Sequence, residues 1–371
     1  MRYFGSDDHR YHQLLYKIGG AMKNKLGKQT FQFPFKPRII GSCSIVGEKE
    51  GKGPMAKWFD MILEDDTFGE KTWEKAESKM LKQSVLLALQ RSGHEKEKID
   101  TMLTGDLINQ IMSSSFMARD LSIPFLGIYG ACSTMTESMI LGSMMIDGGY
   151  ASNVLIGASS HYCTAERQFR MPLEHGNQRP PSAQWTCTAA GGMVLSSEGK
   201  GDSAVTQGQD VKELYITHAT PGKIIDPGIT DVNQMGAAMA PAAVDTIVRH
   251  LSDTGRCPDF YDLILTGDLG LIGKEIAIDL LNGAGVDVEN IYDDCGAMMY
   301  DKKQDTHSGG SGCGCSAAIF CGYVYREMRA GKIKNALLVS TGALLSTISA
   351  QQGESIPGIA HAVAVTTEGG N

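Results

Sequence analysis

The stretch DTMLTGDL at residues 100–107 returns almost unchanged as DLILTGDL at residues 262–269. Each is a short apolar run closed by Gly-Asp-Leu, and three more pairs follow in the same order. IYGAC at 128–132 recurs as IYDDC at 291–295, and DGGYASNVLIGAS at 147–159 aligns with RAGKIKNALLVST at 329–341. GGMVLSSEG at 191–199 then matches HAVAVTTEG at 361–369. Four ordered matches indicate a duplicated chain, and internal self-similarity of this kind decides the fold before any local reading does.

Each half has one grammar. In the first, Trp73, Ala76, Met80, Leu81, Val85 and Ala88 share a helical face that Gly93 closes. The strand TMLTG follows, then a helix through Phe116 and Met117 that stops before Pro124. FLGIY is the next strand, 132–147 the next helix, and NVLIGAS and MVLSS complete the half. The second half repeats this with a helix over 242–251, strand LILTG, helix 274–282, strand NIYD, helix 315–330 and strands ALLVST and VAVTT. Apolar strands alternating with helices predict sheets covered on both faces. Two such halves packed together predict a five-layer α-β-α-β-α fold. The small-residue helices 132–147 and 315–330 occupy its middle. The division reads as an N-terminal extension over 1–35, a first half over 36–210 and a second half over 211–371.

Composition bounds the function. Of 371 residues, 42% are hydrophobic and 20% charged, which describes a globular chain. The formal net charge of −8 argues against non-specific nucleic-acid binding. No apolar run reaches the roughly 18–20 residues of a membrane span, and Asp7 and Asp8 stand where an export signal would be apolar. Nine cysteines without disulfide-type spacing suggest a reducing, cytoplasmic setting.

Cys132 falls where a strand turns into a helix. There the helix dipole is expected to lower its pKa, making it either a nucleophile or the wall of a pocket, although a small buried packing role fits too. The helix N-terminus, with Ser133 and Thr134, suits an anion. Arg167 and Arg170 in TAERQFR offer paired donors to a carboxylate near the pocket rim, or bridge to Glu166 or Glu174 on the surface. Cys313-Gly-Cys315 lacks nearby partners and reads as small-residue packing; no metal site is expected. GDLGLIG at 267–273 lacks the dinucleotide-loop order. His175, His218 and His250 read as surface or satisfied core residues, and KNKLGK at 23–28 as a solvated arm, with a membrane-surface role open.

GACST, opening the central helix of a duplicated chain, resembles the thiolase and ketoacyl-synthase superfamily from about residue 36 onward. More specifically, GACST, TAERQFR, the paired LTGDL motifs, GITD at 228–231, AMAPAA at 238–243, DDCG, GGSGC and STGALLS resemble a stage V sporulation family within it. The superfamily implies a Cys132 thiolate that attacks an acyl thioester, helped by a histidine on the loop matching the nucleophile loop and an asparagine or histidine opening the second central helix. Here Asp293 or Asp294 stands at the first place and Cys313 near the second. An anionic carboxylate there repels an oxyanion and raises the thiol pKa. His307 and His361 are the remaining candidates for an enzyme. The sporulation resemblance instead implies a non-catalytic binder of dipicolinic acid (pyridine-2,6-dicarboxylate) or its calcium chelate, peripheral at the spore inner membrane and partnered by other stage V membrane proteins. A homodimer is left open. The ligand residues it implies are Cys132, Ser133, Thr134, Arg167, Arg170, Asp294, Cys295 and Cys313. Cys132 is catalytic only if the alternative, an acyl-thioester condensing enzyme or acyltransferase, holds.

Overall fold

The computed structural model describes residues 24–169, 179–199, 201 and 211–367. Its ten principal strands come as two sets of five. The first half contributes β1 (Arg38–Val46), β2 (Thr101–Gly105), β3 (Phe125–Gly127), β4 (Asn153–Ser160) and β5 (Ala189–Ser196). The second contributes β6 (Tyr215–Thr220), β7 (Leu263–Thr266), β8 (Tyr292–Asp294), β9 (Asn335–Ala343) and β10 (Gly358–Thr366). In the first, β3, β2 and β4 run parallel and β5 and β1 antiparallel; β8, β7, β9, β10 and β6 repeat that order. The two sets meet edge to edge at one pairing, Tyr215 with Arg38.

The helices repeat as well. α1 (Trp73–Ser92) and α2 (Met112–Leu121) cover the outer face of the first sheet. α4 (Met235–Thr254) and α5 (Gly270–Gly283) cover that of the second. Between the sheets lie α3 (Thr134–Asp147) and α6, which runs as Cys313–Ile319, a π turn Phe320–Val324 and Tyr325–Arg329. α3 packs on β2 and β4 on one side and on β9 and β10 on the other, while α6 rests on β4, β5 and β1. The expected five layers and buried middle layer are present. Ala, Ser, Gly and Met suit helices packed on two sides, and Gly191 in β5 shows how tightly: a Cβ there would sit 2.6 Å from the Ala317 backbone.

The α1 face is as the periodicity predicts, with Ala76, Met80, Leu81, Val85 and Ala88 buried and Trp73 at the rim. Thr72 caps the start and Gly93, at φ +73°, the end. The sequence reading omitted β1 and β6, the first strand of each half, and began α4 too late, because the helix continues back across Pro241 to Met235. KNKLGK is in part a hairpin: Lys25–Leu26 pairs with Thr30–Gln32, which joins β6, and Asp253 accepts from the Lys28, Gln29 and Thr30 amides. His250 is a satisfied core histidine between Thr220 and Tyr261.

The halves are also joined by a buried carboxyl. Glu50 accepts from the Tyr300 hydroxyl across the interface and from the Thr188 amide at 3.1 Å, while its second oxygen has no hydrogen-bond partner among the described residues. Burial raises its pKa from 4.5 to about 7.

Two stability predictions follow from this packing. A Cβ at Gly142 would lie 3.0 Å from Leu195 and 3.4 Å from Val154, so Gly142→Leu overpacks the middle layer and should cost about 1–3 kcal/mol in denaturant unfolding. Unchanged stability would mean that α3 is not confined on that side. For Glu50 the folded state holds its proton to about pH 7 and the unfolded chain only to about 4.5, so wild-type stability should fall as pH rises through that window and level off above it. Glu50→Gln removes this dependence. The stability difference between variant and wild type should therefore move in the variant's favour by about 1–3 kcal/mol between pH 4.5 and 8; a pH-independent difference would refute the assignment.

Candidate functional site

Sequence dictates a sharp turn between β3 and α3. Ala131 has φ +50°, a left-handed conformation that L residues avoid unless the surroundings enforce it. The enforcing bonds are local: the Ser133 hydroxyl donates to the Gly130 carbonyl at 2.6 Å, and the Thr134 hydroxyl donates to the Ala131 carbonyl at 2.7 Å. Both hydroxyl protons are thereby committed to the turn, and both side chains are fully buried. The two hydroxyls that open α3 therefore donate to the turn itself.

The turn presents Cys132 to a cavity between the halves of about 50 Å³, room for about four waters. Leu107, Tyr129, Phe169, Val232, Met235 and Leu345 give it a largely apolar wall, to which Glu166, Thr186 and Ser311 add polar atoms. Facing Cys132 from the second half is Asp268, fully buried just beyond β7. Asp268 accepts from the Thr341 hydroxyl at 2.6 Å, the Gly312 amide at 2.9 Å and the Ser311 hydroxyl at 3.3 Å, all of its own half, and its carboxyl lies near the Cys132 thiol. Burial first, then the Asp268 carboxylate, then Cys313 push the Cys132 pKa well above its ordinary value, with the nearby Gly312 amide working the other way. The helix-dipole argument for a lowered pKa is overturned, because desolvation beside an anion outweighs the dipole.

The other expected site residues are placed as follows. Asp293 forms an ion pair with Lys274 at 2.7 Å. Asp294 caps the helix Cys295–Met299 through the Ala297 amide and accepts from the Leu269 and Gly270 amides and the Thr266 hydroxyl, each at 2.8 Å. Burial raises its pKa to about 7. Asp294 therefore secures the turn that carries Asp268 and does not line the cavity. Cys313 donates to the Ser159 carbonyl at 2.8 Å, and Cys295 is buried near Cys187 and Cys315. Arg167 pairs with Glu74 at 2.6 Å and lies over Trp73, outside the cavity lining, with a different partner from the Glu166 or Glu174 considered above. Arg170, Glu174 and His175 lie outside the described residues. His361 accepts from the Gly222 amide at 3.0 Å, and burial lowers its pKa to about 4. His307 sits by Asp305 at 3.5 Å. No histidine lines the cavity among the described residues, and these form no group of three His, Cys, Asp or Glu able to hold a metal. No described helix is long and apolar enough to cross a membrane.

Sequence reasoning passed over Asp268 itself. The signal was available, since the same aspartate closes both LTGDL motifs, and its counterpart Asp106 is equally buried.

A duplicated five-layer chain with a cysteine at a strained elbow over an inter-half cavity is a thiolase-like protein, and solved structures agree. The fold is similar to 3-oxoacyl-[acyl-carrier-protein] synthase III from Aquifex aeolicus (TM-score 0.53, 12% identity, 89% of this chain and 99% of that one). It is also similar to human mitochondrial 3-ketoacyl-CoA thiolase in complex with CoA (TM-score 0.52, 12% identity, 90% and 98%) and to an OleA variant from Xanthomonas campestris (TM-score 0.56, 12% identity, 90% and 99%). Within that class the chain belongs to the Stage V sporulation protein AD (SpoVAD) family, whose model matches residues 27–366. It is 43% identical over 344 residues to Stage V sporulation protein AD of Bacillus subtilis (strain 168), covering 93% of this chain and 98% of that protein.

The thiol environment predicts an order of chemical modification. With iodoacetamide at pH 7.5 and peptide mass spectrometry, the exposed Cys257 should react first, while Cys132 should react at least about tenfold more slowly than a free thiol, since a tenfold smaller thiolate fraction corresponds to one pKa unit. Rapid modification of Cys132 would show that Asp268 does not hold it protonated.

Proposed function

We propose that this chain is a ligand-binding sporulation protein that takes dipicolinate, preferentially as its calcium chelate, into the cavity at Cys132 for uptake into the developing spore, and that it does not carry out acyl transfer. The observation supporting this is a Cys132 buried beside the Asp268 carboxyl, which with burial pushes the thiol pKa up, in a lining that holds no histidine among the described residues. A condensing enzyme needs a thiolate and oxyanion donors; a carboxylate at that place opposes both.

The lining also bears on the form of the ligand. Its one ionisable carboxyl, Glu166, is buried, and no described cation lines the wall. No described cation is there to meet a free dianion, whereas a calcium chelate is neutral overall. A ring diacid is larger than a few waters, so the wall must yield on binding. Met235 is the flexible side chain in position to do so. Membrane proteins of the same sporulation stage are the proposed partners in transport.

The second reading, an acyltransferase using Cys132, rests on the retained elbow strain at Ala131. Calorimetry with dipicolinate, with and without calcium, separates the two when run beside acetyl- and malonyl-thioester assays. The expected result is binding that is tighter with calcium and weakened about tenfold or more in Cys132→Phe, with no turnover near the usual about 1–1,000 per second. Thioester turnover abolished by Cys132→Ala would overturn the proposal, as would dipicolinate binding indifferent to Cys132→Phe.

A further inference from the structure

Behind the cavity wall formed by Thr186 and the helix Tyr162–Phe169 lies a second polar cluster. Tyr162 stacks on Trp185 with ring centroids 3.7 Å apart and planes 6° from parallel, which closes one face of the indole. Two cations share the other face: the Lys49 ammonium lies 3.9 Å from the ring centroid and the Arg179 guanidinium 4.6 Å. They feel one another, since Lys49 has its pKa lowered by burial and then by the charge of Arg179. Cation–π contacts do not cancel two like charges held this close.

Compensation from the protein is thin. Arg179 donates Nη2 to the Asp305 carbonyl at 2.9 Å, and the Asp305 carboxylate stands at 3.8 Å with 81% of its side chain exposed. The neighbouring acid Glu50, its pKa raised by burial to about 7, is engaged by Tyr300 and Thr188, and its charge acts on Lys49 less than that of Arg179 or Asp305. Arg179 itself is 92% buried by side chain, and its Nη1 is a buried donor without a partner among the described residues. A buried guanidinium N–H left unmade is costly, and a second cation beside it adds to that cost.

We propose that Lys49 and Arg179, on the open face of Trp185, form an oxyanion-binding site for a carboxylate or phosphate group, separate from the cavity at Cys132. Arg179 supplies the directional N–H through Nη1, Lys49 supplies the point charge, and Trp185 with Tyr162 forms the rigid floor. The site is on the wall that carries Glu166 and Phe169 but does not depend on what the cavity binds.

Titration calorimetry of the full chain with inorganic phosphate and, separately, with dipicolinate tests this, using wild type, Arg179→Gln, Lys49→Gln and Cys132→Phe, each checked for folding by its thermal melt. Wild type should bind phosphate, more weakly at high salt. Arg179→Gln should weaken this about 10- to 150-fold, the range for a lost bond to a charged group. Lys49→Gln, at the more exposed position, should weaken it in the same direction and serves if Arg179→Gln does not fold. Cys132→Phe should leave phosphate binding unchanged. Dipicolinate binding lost in both cation variants but kept in Cys132→Phe would place the diacid itself at this site, supporting the inference while overturning the cavity as its location. Absence of phosphate and dipicolinate binding alike in wild type, or binding indifferent to both cation variants, would overturn the inference.

Discussion

A carboxyl group buried between two halves without a cation must be satisfied by hydrogen bonds, and Asp268 takes them from two separate segments of its own half. Thr341 comes from β9, and Ser311 and Gly312 from the loop before α6, while Cys132 at the elbow of the other half lies beside the carboxyl. Each donor fixes one element relative to the next, so the turn after β7, β9 and the start of α6 are positioned together. Gly312 at φ +100° can bring its amide there because it has no Cβ; one would sit 2.6 Å from the Ser160 hydroxyl. The electrostatics of Cys132 follow from this arrangement: burial first, and then the Asp268 carboxyl beside it, push the thiol pKa up.

The duplication gives this constraint a mirror image. Asp106, at the matching position of the first half, accepts from the Ile108 and Ser114 amides and lies near the buried Glu77, which takes the hydroxyls of Ser159 and Thr164. Glu77 and Asp106 together help raise the thiol pKa of Cys313, as Asp268 raises that of Cys132. Each half therefore sets acid against the cysteine that leads into the other half's central helix. The two copies differ in how the aspartate is held: Asp106 takes amides of its own loop, and Asp268 takes donors from β9 and the loop before α6. The side where Asp268 lies near Cys132 is also the side with the cavity.

The fold was legible because its evidence is periodic and local. Paired LTGDL motifs, glycine-closed helices and runs of small residues each report on a neighbourhood of a few residues, and their repetition fixed the layers. β1 and β6 escaped because RIIGSCSIV and YITHAT mix small and polar residues with the apolar ones and share no motif with each other. The site was less legible, for a related reason. Which carboxylate faces Cys132 is set by how one half lies on the other, and no local pattern reports that; Asp293 and Asp294 sit next to a cysteine in sequence, yet their oxygens serve Lys274 and the turn amides. Arg167 illustrates the same limit. Its place after a pocket strand suggested the rim, but the helix turns it toward Glu74 and Trp73 of α1.

The absence of histidine from the lining among the described residues can then be understood without supposing that a catalytic part was simply deleted. A base beside Cys132 could draw off its proton only by placing a thiolate next to Asp268, two anions in a site where burial already penalises either one. Burial raises the Asp268 pKa too, so both groups are penalised in their charged forms. The elbow geometry survives independently, because Ala131 is held by the Ser133 and Thr134 hydroxyls and not by anything Cys132 does. The strained turn and the protonated thiol thus have separate causes, and the first carries no implication of nucleophilic chemistry for the second.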